Sequence, residues 1–545
     1  MRYHQKFFLI TTFCLCSFAC LAQNQKPKLI VGLVIDQMRW DFLYRYSAHY
    51  SNNGFKRLLK DGFSAENTLI PYTPTSTAPG HAAIYSGSPP AISGIPGNEW
   101  FDKATGKESY CTGDDKVEPV GSNNAKAGKM SPANLWVTTV TDELRLSNNF
   151  KSKVIGIALK DRGAILPAGH TANAAYWYDN GIWISSSYYM QNLPGWVNDF
   201  NAKDLPGQAM RSDWKTLLPA EKYDQSSADD EPYENNIKGE KSVVFPHKLS
   251  SIKAKDKYEA FRTTPFANSF TFEFAKAAIE NEALGQDARP DFLSISLSPT
   301  DYIGHSFGPN SVEIEDTYLR LDQDIAGFLN YLDKQIGLGH YTLFLTADHG
   351  VAHIPRYLSE HKVLSENAVQ APPSDFAKNL NAAVAQKFLI TNAVSKVVNY
   401  QVYLDTQAIS QNGTDVNAIK QFLLDELRGR DEILYALELD KIPQASVPAL
   451  LKDMLINGYT PKRSGDIQFI YKPGYLGNNA QKGTSHGLWY PYDAHIPCIF
   501  YGWGIRPGST HRETAITDIA PTLSALLKIQ MPNGSVGKVV TEAIK

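Results

Sequence analysis

Residues 28–36 read "KLIVGLVID", an unbroken apolar run that ends in an acid. A strand with one face in water alternates apolar and polar residues, so an unbroken run reads as a strand covered on both faces, the habit of a parallel sheet. The design recurs in "KVIGIALKDR" (153–162), "DFLSISLSPTD" (291–301) and "YTLFLTADHG" (341–350), each an apolar strand whose C-terminal end carries charged or polar residues. Helical patterns lie between them at 131–146, 264–283, 311–335 and 517–528, several opening on Ser, Thr or Asp. The alternation predicts an α/β fold, a central, mostly parallel sheet flanked by helices. Ligands of such sheets sit beyond the carboxyl ends of the strands, which makes the residues there the candidate site.

Two segments depart from this pattern. Residues from about 165 to 260 hold a hairpin signal, "AAYWYDNGIWIS" with Asn180-Gly181 at its turn, followed by polar, aromatic-rich chain. Residues from about 366 to 462 alternate helix and strand on their own, as a small α/β subdomain would. Both are read as inserts near the active site, within one catalytic domain spanning 23–545.

The chain has 545 residues, 43% hydrophobic and 20% charged, with a formal net charge of −3. That is the balance of a globular protein with a large core, and it gives no electrostatic footprint for nucleic acid or an anionic membrane. The N-terminus, "MRYHQKFFLITTFCLCSFACLAQNQ", has a basic start, an apolar stretch and then polar chain. This is the pattern of a secretory signal peptide over 1–22, which predicts a periplasmic or secreted protein without a membrane span in its mature form. Acylation at Cys20 is the weaker alternative, because Ser-Phe-Ala before it lacks the usual aliphatic residue. Cys111 and Cys498 then remain, either free and buried or joined in one disulfide.

The strand ends bring up Asp36, Asp301 with His305 four residues on, and Asp348 beside His349; "KGTSHGLWYP" adds His486. Singly, each has a bland reading: Asp36 as a helix cap, His305 as a surface loop residue. Together they form a set of three carboxylates and three imidazoles, donors that suit zinc better than Mg²⁺ or Ca²⁺. Six ligands are too many for one zinc and suit two. In "PTSTAPGHAAIYSG" (74–87) the helix is expected to begin at Ala78, with Pro79 in its first turn and Thr77 as N-cap. Plain capping would need only that hydroxyl. The same place, at the positive end of the helix dipole, also suits an alkoxide nucleophile, a placement that Thr75 and Ser76 lack.

Taken together, "TAPGH" (77–81), "IYSG", "GIPGNEWFD", Asp36, "SPTDYIGH", "TADHG" and "SHG" resemble the alkaline phosphatase superfamily over most of the mature chain. The Thr-x-Pro-x-His pattern is similar to the nucleotide pyrophosphatase/phosphodiesterases and the threonine-nucleophile bacterial alkaline phosphatases. Sulfatases carry Cys or Ser and then Arg where this chain has Thr77 and His81. The resemblance implies one zinc held by Asp301, His305 and His486, and a second held by Asp36, Asp348, His349 and Thr77. It also implies that Asn98 donates to a phosphoryl oxygen and that the reaction passes through a phosphothreonine on Thr77. His353, a rival ligand by spacing, lies outside the family pattern.

Substrate class turns on "ALKDRG" (158–163). A phosphate monoester is a dianion and gains from cations beyond the metals, whereas a diester carries one charge and a second organic group. Lys160 and Arg162, two apart in an extended segment, can point to one side. They match the Lys-x-Arg pair of the monoesterases, against the alternative of a solvated surface pair. The expectation is an alkaline phosphatase with two Zn²⁺, monomeric, acting on small phosphate monoesters. The alternatives are a phosphodiesterase or nucleotide pyrophosphatase, and an inactive binding relative.

Overall fold

A computed structural model describes residues 26–365, 376–476 and 482–545. The signal-peptide segment and Cys20 lie outside the described residues. The four apolar runs are strands β1 (Leu29–Ile35), β2 (Val154–Ala158), β3 (Asp291–Leu297) and β4 (Tyr341–Thr346). Every residue in them is buried, as strands covered on both faces must be. They are neighbours in the order β4-β1-β3-β2, all parallel, with Leu29 level with both Tyr341 and Asp291. Among the described residues the sheet counts eleven strands. Its outer strands are mostly antiparallel, so the centre is parallel and the flanks are mixed.

The helices that matter for the site are α1 (Thr77–Ser86), α2 (Val140–Ser147), α3 (Asp161–Ala168), α4 (Phe266–Asn281), α5 (Pro299–Phe307), α6 (Val312–Leu332) and α7 (Ile519–Leu527). Helices α1, α3 and α7 form one group and α4 with α6 another, and α3 and α4 both pack on β3. One helix is shorter than expected: 131–146 is helical only from Val140. Thr139 and Asp142 form a reciprocal capping box there, which fixes the start nine residues after Ser131 and leaves the preceding segment as turns.

The hairpin at Asn180-Gly181 turns through two positive φ values, 45° and 98°. Its first strand, Ala174–Asp179, adds to the central sheet parallel to β2. Further on, Val394–Val398, Gln401–Leu404, Ile433–Glu438 and Ile467–Tyr471 make a separate four-stranded antiparallel sheet with its own apolar core. This small sheet extends past 462, through Tyr471. Cys111 and Cys498 are both free and buried, and no helix of the described residues is long and apolar enough to cross a membrane.

Away from the strand ends, His247 is fully buried between Glu240 (2.9 Å) and Glu313 (3.1 Å). Burial alone pushes an imidazole pKa down, but these two carboxylates outweigh it and hold His247 up, at about 9. A raised folded-state pKa adds stability that is fully present below the unfolded value of about 6.5 and is lost as pH rises through about 9. The melting-temperature gap between the parent and His247→Gln should therefore be widest at pH 6 and narrow by pH 10 in calorimetry. A gap independent of pH would contradict this pairing.

Candidate metal centre and nucleophile

Because β4, β1, β3 and β2 run parallel and in register, their C-terminal ends set Asp348, Asp36, Asp301 and Lys160 side by side. Asp36 follows β1 directly, its N–H donating to Leu297 O and its carbonyl accepting from Thr300 Oγ1. Asp301 and His305 share one face of α5, four residues apart. His486 arrives from the 482–488 loop, whose Gly487 and Leu488 N–H groups are held by the Asp493 carboxylate.

Two trios result. Ligand atoms of Asp301, His305 and His486 lie within 4.8 Å of one another, and so do those of Asp36, Asp348 and His349. Each imidazole has its Nδ1 on a backbone carbonyl: His305 on Thr484 (2.8 Å), His349 on Gly350 (2.9 Å) and His486 on Thr75 (2.7 Å). A carbonyl only accepts, so Nδ1 carries a proton and Nε2 is the nitrogen turned into the site, as a metal requires; for His305 that Nε2 faces Asp301 Oδ1 (3.1 Å), whose charge outweighs burial and raises the His305 pKa. Burial, then the neighbouring His349 and His305, push the His486 pKa down and keep it neutral. Asp36 Oδ1 and Asp348 Oδ2 are buried with no hydrogen-bond partner. Unpaired anionic oxygens are too costly to bury unless a cation meets them, so the donor set fits two divalent metal ions.

Further groups knit the acids together. Lys160 Nζ donates to Asp36 Oδ2 (2.7 Å) and Asp301 Oδ2 (2.5 Å). Burial would lower the Lys160 pKa, but the two carboxylates outweigh it and raise it. Gln37, whose positive φ of 68° turns the chain after β1, donates its N–H to Asp348 Oδ1 (3.1 Å) and its amide to Asp301 Oδ1 (2.7 Å). His81 bridges Thr77 O and Ser296 Oγ, both at 2.8 Å. No sequence pattern marks Gln37, and His81 appeared only as a family letter. His353 is spent elsewhere, on Asn310 (2.6 Å) and Arg39 (3.0 Å). A third trio, His49, Asp224 and Glu315, also converges, but Asp224 is exposed and Glu315 already accepts from Ser226 (2.6 Å).

The three consecutive hydroxyls are sorted by the backbone. Thr75 donates to Leu488 O (2.8 Å). Ser76 is extended (φ −143°, ψ 166°) and takes the N-cap, so Thr77 is the first helical residue, one residue before the expected start at Ala78. The Gly80 N–H reaching back to Ser76 O (3.0 Å) is the first helical hydrogen bond, which sets this boundary; Pro79 still lies in the first turn, where its missing N–H leaves no helical bond unmade. Thr77 Oγ1 lies 3.5 Å from His349 Nε2, next to the second trio. Gly80 permits this approach, since a Cβ there would sit 2.4 Å from the Asp348 carbonyl oxygen. Asn98 Oδ1 accepts the Ala78 N–H (2.9 Å), which leaves its NH₂ free to donate beside Thr77.

Lys160 and Arg162 do not share an extended segment. Lys160 is extended (φ −83°, ψ 126°) and caps α3, which begins at Asp161, so Arg162 stands on the first helical turn. The cause is local: Gly163 N–H closes onto Lys160 O and turns the chain at once. Arg162 reaches Tyr110 OH (3.0 Å), at the end of the short hairpin Glu99–Asp102 and Lys107–Tyr110. The small sheet leans on that hairpin: Asn399 Nδ2 donates to Glu99 O (2.7 Å), Lys103 pairs with Asp466 (2.9 Å), and Tyr400 OH donates to His486 O (3.0 Å).

Known proteins are similar to this chain over nearly its whole length. A protein of Myroides odoratus named calcium-transporting ATPase is 52% identical over 539 residues, covering 98% of each chain. Alkaline phosphatase PhoV of Synechococcus elongatus is 52% identical over 522 residues, 95% of this chain and 93% of that one. Alkaline phosphatase PafA of Elizabethkingia meningoseptica is 49% identical over 525 residues, 95% of each. The crystal structure of wild-type PafA superposes with a TM-score of 0.92 over 95% of this chain and 99% of that one, at 48% identity. A PafA variant with four substitutions gives the same TM-score. The family model for type I phosphodiesterase / nucleotide pyrophosphatase matches residues 30–489. With that match and these near full-length relatives, the chain belongs to the type I phosphodiesterase / nucleotide pyrophosphatase family of the alkaline phosphatase superfamily.

Proposed function

We propose that this chain is an exported two-zinc alkaline phosphatase that hydrolyses phosphate monoesters through a phosphothreonine on Thr77. The observation that carries the reading is a pair of ligand trios bridged by Lys160 between Asp36 and Asp301, with the hydroxyl that begins α1 lying 3.5 Å from His349 Nε2. The names of the PhoV and PafA relatives support the reaction class. The quadruple PafA variant supports the roles: it replaces a threonine, an asparagine, a lysine and an arginine with the same separations along the chain as Thr77, Asn98, Lys160 and Arg162.

Asp301, His305 and His486 would hold one ion and Asp36, Asp348, His349 and Thr77 the other; when bound, they supply the Lewis acidity that makes a hydroxyl a nucleophile and eases departure of an alkoxide. Thr77 Oγ gives up its proton to solvent and attacks phosphorus in line, the bond from phosphorus to the ester oxygen breaks, and that oxygen takes a proton back from solvent and leaves as an alcohol. Water then displaces Thr77 from the phosphothreonine. Two inversions give net retention at phosphorus. The Asn98 NH₂ donates to one non-bridging oxygen. Arg162 and Lys160 meet the remaining charge of the dianion, the flexible Lys160 stem turning its ammonium from the acids to the phosphoryl group. A diesterase would put an apolar wall where these cations stand.

The purified mature protein should hold about two zinc ions per chain and lose activity to chelators, as imidazole-rich donor sets favour zinc. Full activity with Mg²⁺ alone after exhaustive zinc removal would overturn the assignment.

Thr77→Ala should abolish turnover, and Thr77→Ser should keep a measurable fraction because the oxygen remains. Ser76→Ala should leave the rate near that of the parent. An active Thr77→Ala enzyme would move the nucleophile elsewhere.

Each charge-assisted hydrogen bond is worth about 1.5–3 kcal/mol, so the Lys160→Ala/Arg162→Ala pair should cost on the order of 10²–10⁴ in monoester kcat/KM. A methyl diester of the same aryl alcohol should lose far less, with both rates measured at full zinc loading. Equal losses would favour the diesterase alternative.

A further inference from the structure

Arg162 is held in an unusual way. Its guanidinium has no ion-pair partner among the described residues, its Nε is buried without a hydrogen bond, and NH1 donates to a neutral phenol, Tyr110 OH (3.0 Å). The nearby Asp161 carboxylate is taken up by other donors: Tyr110 OH at 2.8 Å and Thr112 Oγ1 at 3.0 Å, both on Oδ1. A carboxylate only accepts, so the phenolic proton points at Asp161 and the phenolic lone pair faces Arg162. The phenol thus orients the guanidinium without neutralising it, which keeps its full charge for a dianionic ligand.

The same hairpin carries Asn98. Tyr110 lies opposite Glu99 in the strand register, and the Cys111 N–H donates to Asn98 O (3.0 Å). Asn98 in turn is pinned by its Oδ1 to the Ala78 N–H beside Thr77. One hairpin therefore carries an asparagine amide at its start and the support of Arg162 at its end.

We infer that Tyr110 is a positioning residue that aims Arg162 at the phosphoryl group, so that the 98–112 hairpin sets the preference for monoesters over diesters. This rests on the role proposed above for Arg162. A residue acting only through Arg162 should matter only while Arg162 is present, and mainly for the substrate that uses it.

The test is Tyr110→Phe, alone and combined with Arg162→Ala, in zinc-loaded full-length enzyme, with an aryl monoester and its methyl diester. Removing the phenolic oxygen should lower monoester kcat/KM about tenfold, the lower end for a hydrogen bond to a charged group, and diester kcat/KM less than about twofold. Added to Arg162→Ala, it should cost less than about twofold on either substrate. Asp161→Asn, which weakens the acceptor of the phenolic proton, should shift the same preference in the same direction by a smaller factor, and it stands in if Tyr110→Phe fails to fold. Equal losses on both substrates, or an undiminished loss on top of Arg162→Ala, would overturn the inference. A parent enzyme with no monoesterase activity would instead overturn the phosphatase reading, and this inference with it.

Discussion

Three carboxylates, Asp36, Asp301 and Asp348, follow the ends of three neighbouring strands inside a buried site, Asp301 on the first turn of α5, and the arrangement stands only if positive charge lies among them. At about 4 Å in a surface-like medium two like charges repel by about 4 kcal/mol, and more when buried. For Asp36, burial pushes the carboxyl pKa up and Asp348 adds to that push, while Lys160 opposes it. The Lys160 ammonium and the two donors of Gln37 are answers to that one electrostatic demand. The fold contributes the register that makes the demand unavoidable, since parallel strands of matched length end together.

The centre of the fold was legible because covered parallel strands leave little choice: "LIVGLVI" cannot sit half in water. Its terminal acids were legible for the same reason, as charges at the ends of buried runs have a purpose or do not persist in a core. The nucleophile was legible to within one residue. Thr77 was expected as the cap and is the first helical residue, because whether the extended residue is Thr77 or Ser76 depends on a single backbone hydrogen bond from Gly80. The early start expected for α2 failed through competition of the same kind, a Thr139–Asp142 capping box prevailing over Ser131-Pro132.

What stayed hidden depends on contacts between distant segments. Gln37 looks like any residue after a strand until its positive φ and its two acid partners are seen. Arg162 was expected beside Lys160 on an extended segment; the immediate start of α3 sends the two cations to different neighbours, the acids for one and a phenol for the other. Tyr110 sits 52 positions from Arg162, and nothing in the composition around it marks it as a partner.

The turn at Asn399-Tyr400, with φ values of 57° and 58°, has a consequence for how this architecture can vary. Asn399 grips the chain one residue beyond Asn98, and Tyr400 grips the carbonyl of His486, so a single two-residue hinge of the small sheet touches both the anion-recognising edge and the metal-holding loop. The small sheet is therefore not a detachable ornament on a self-sufficient core. Lineages that shorten or exchange it must rebuild two tethers at once, which ties change in this peripheral module to change in the chemistry beneath it.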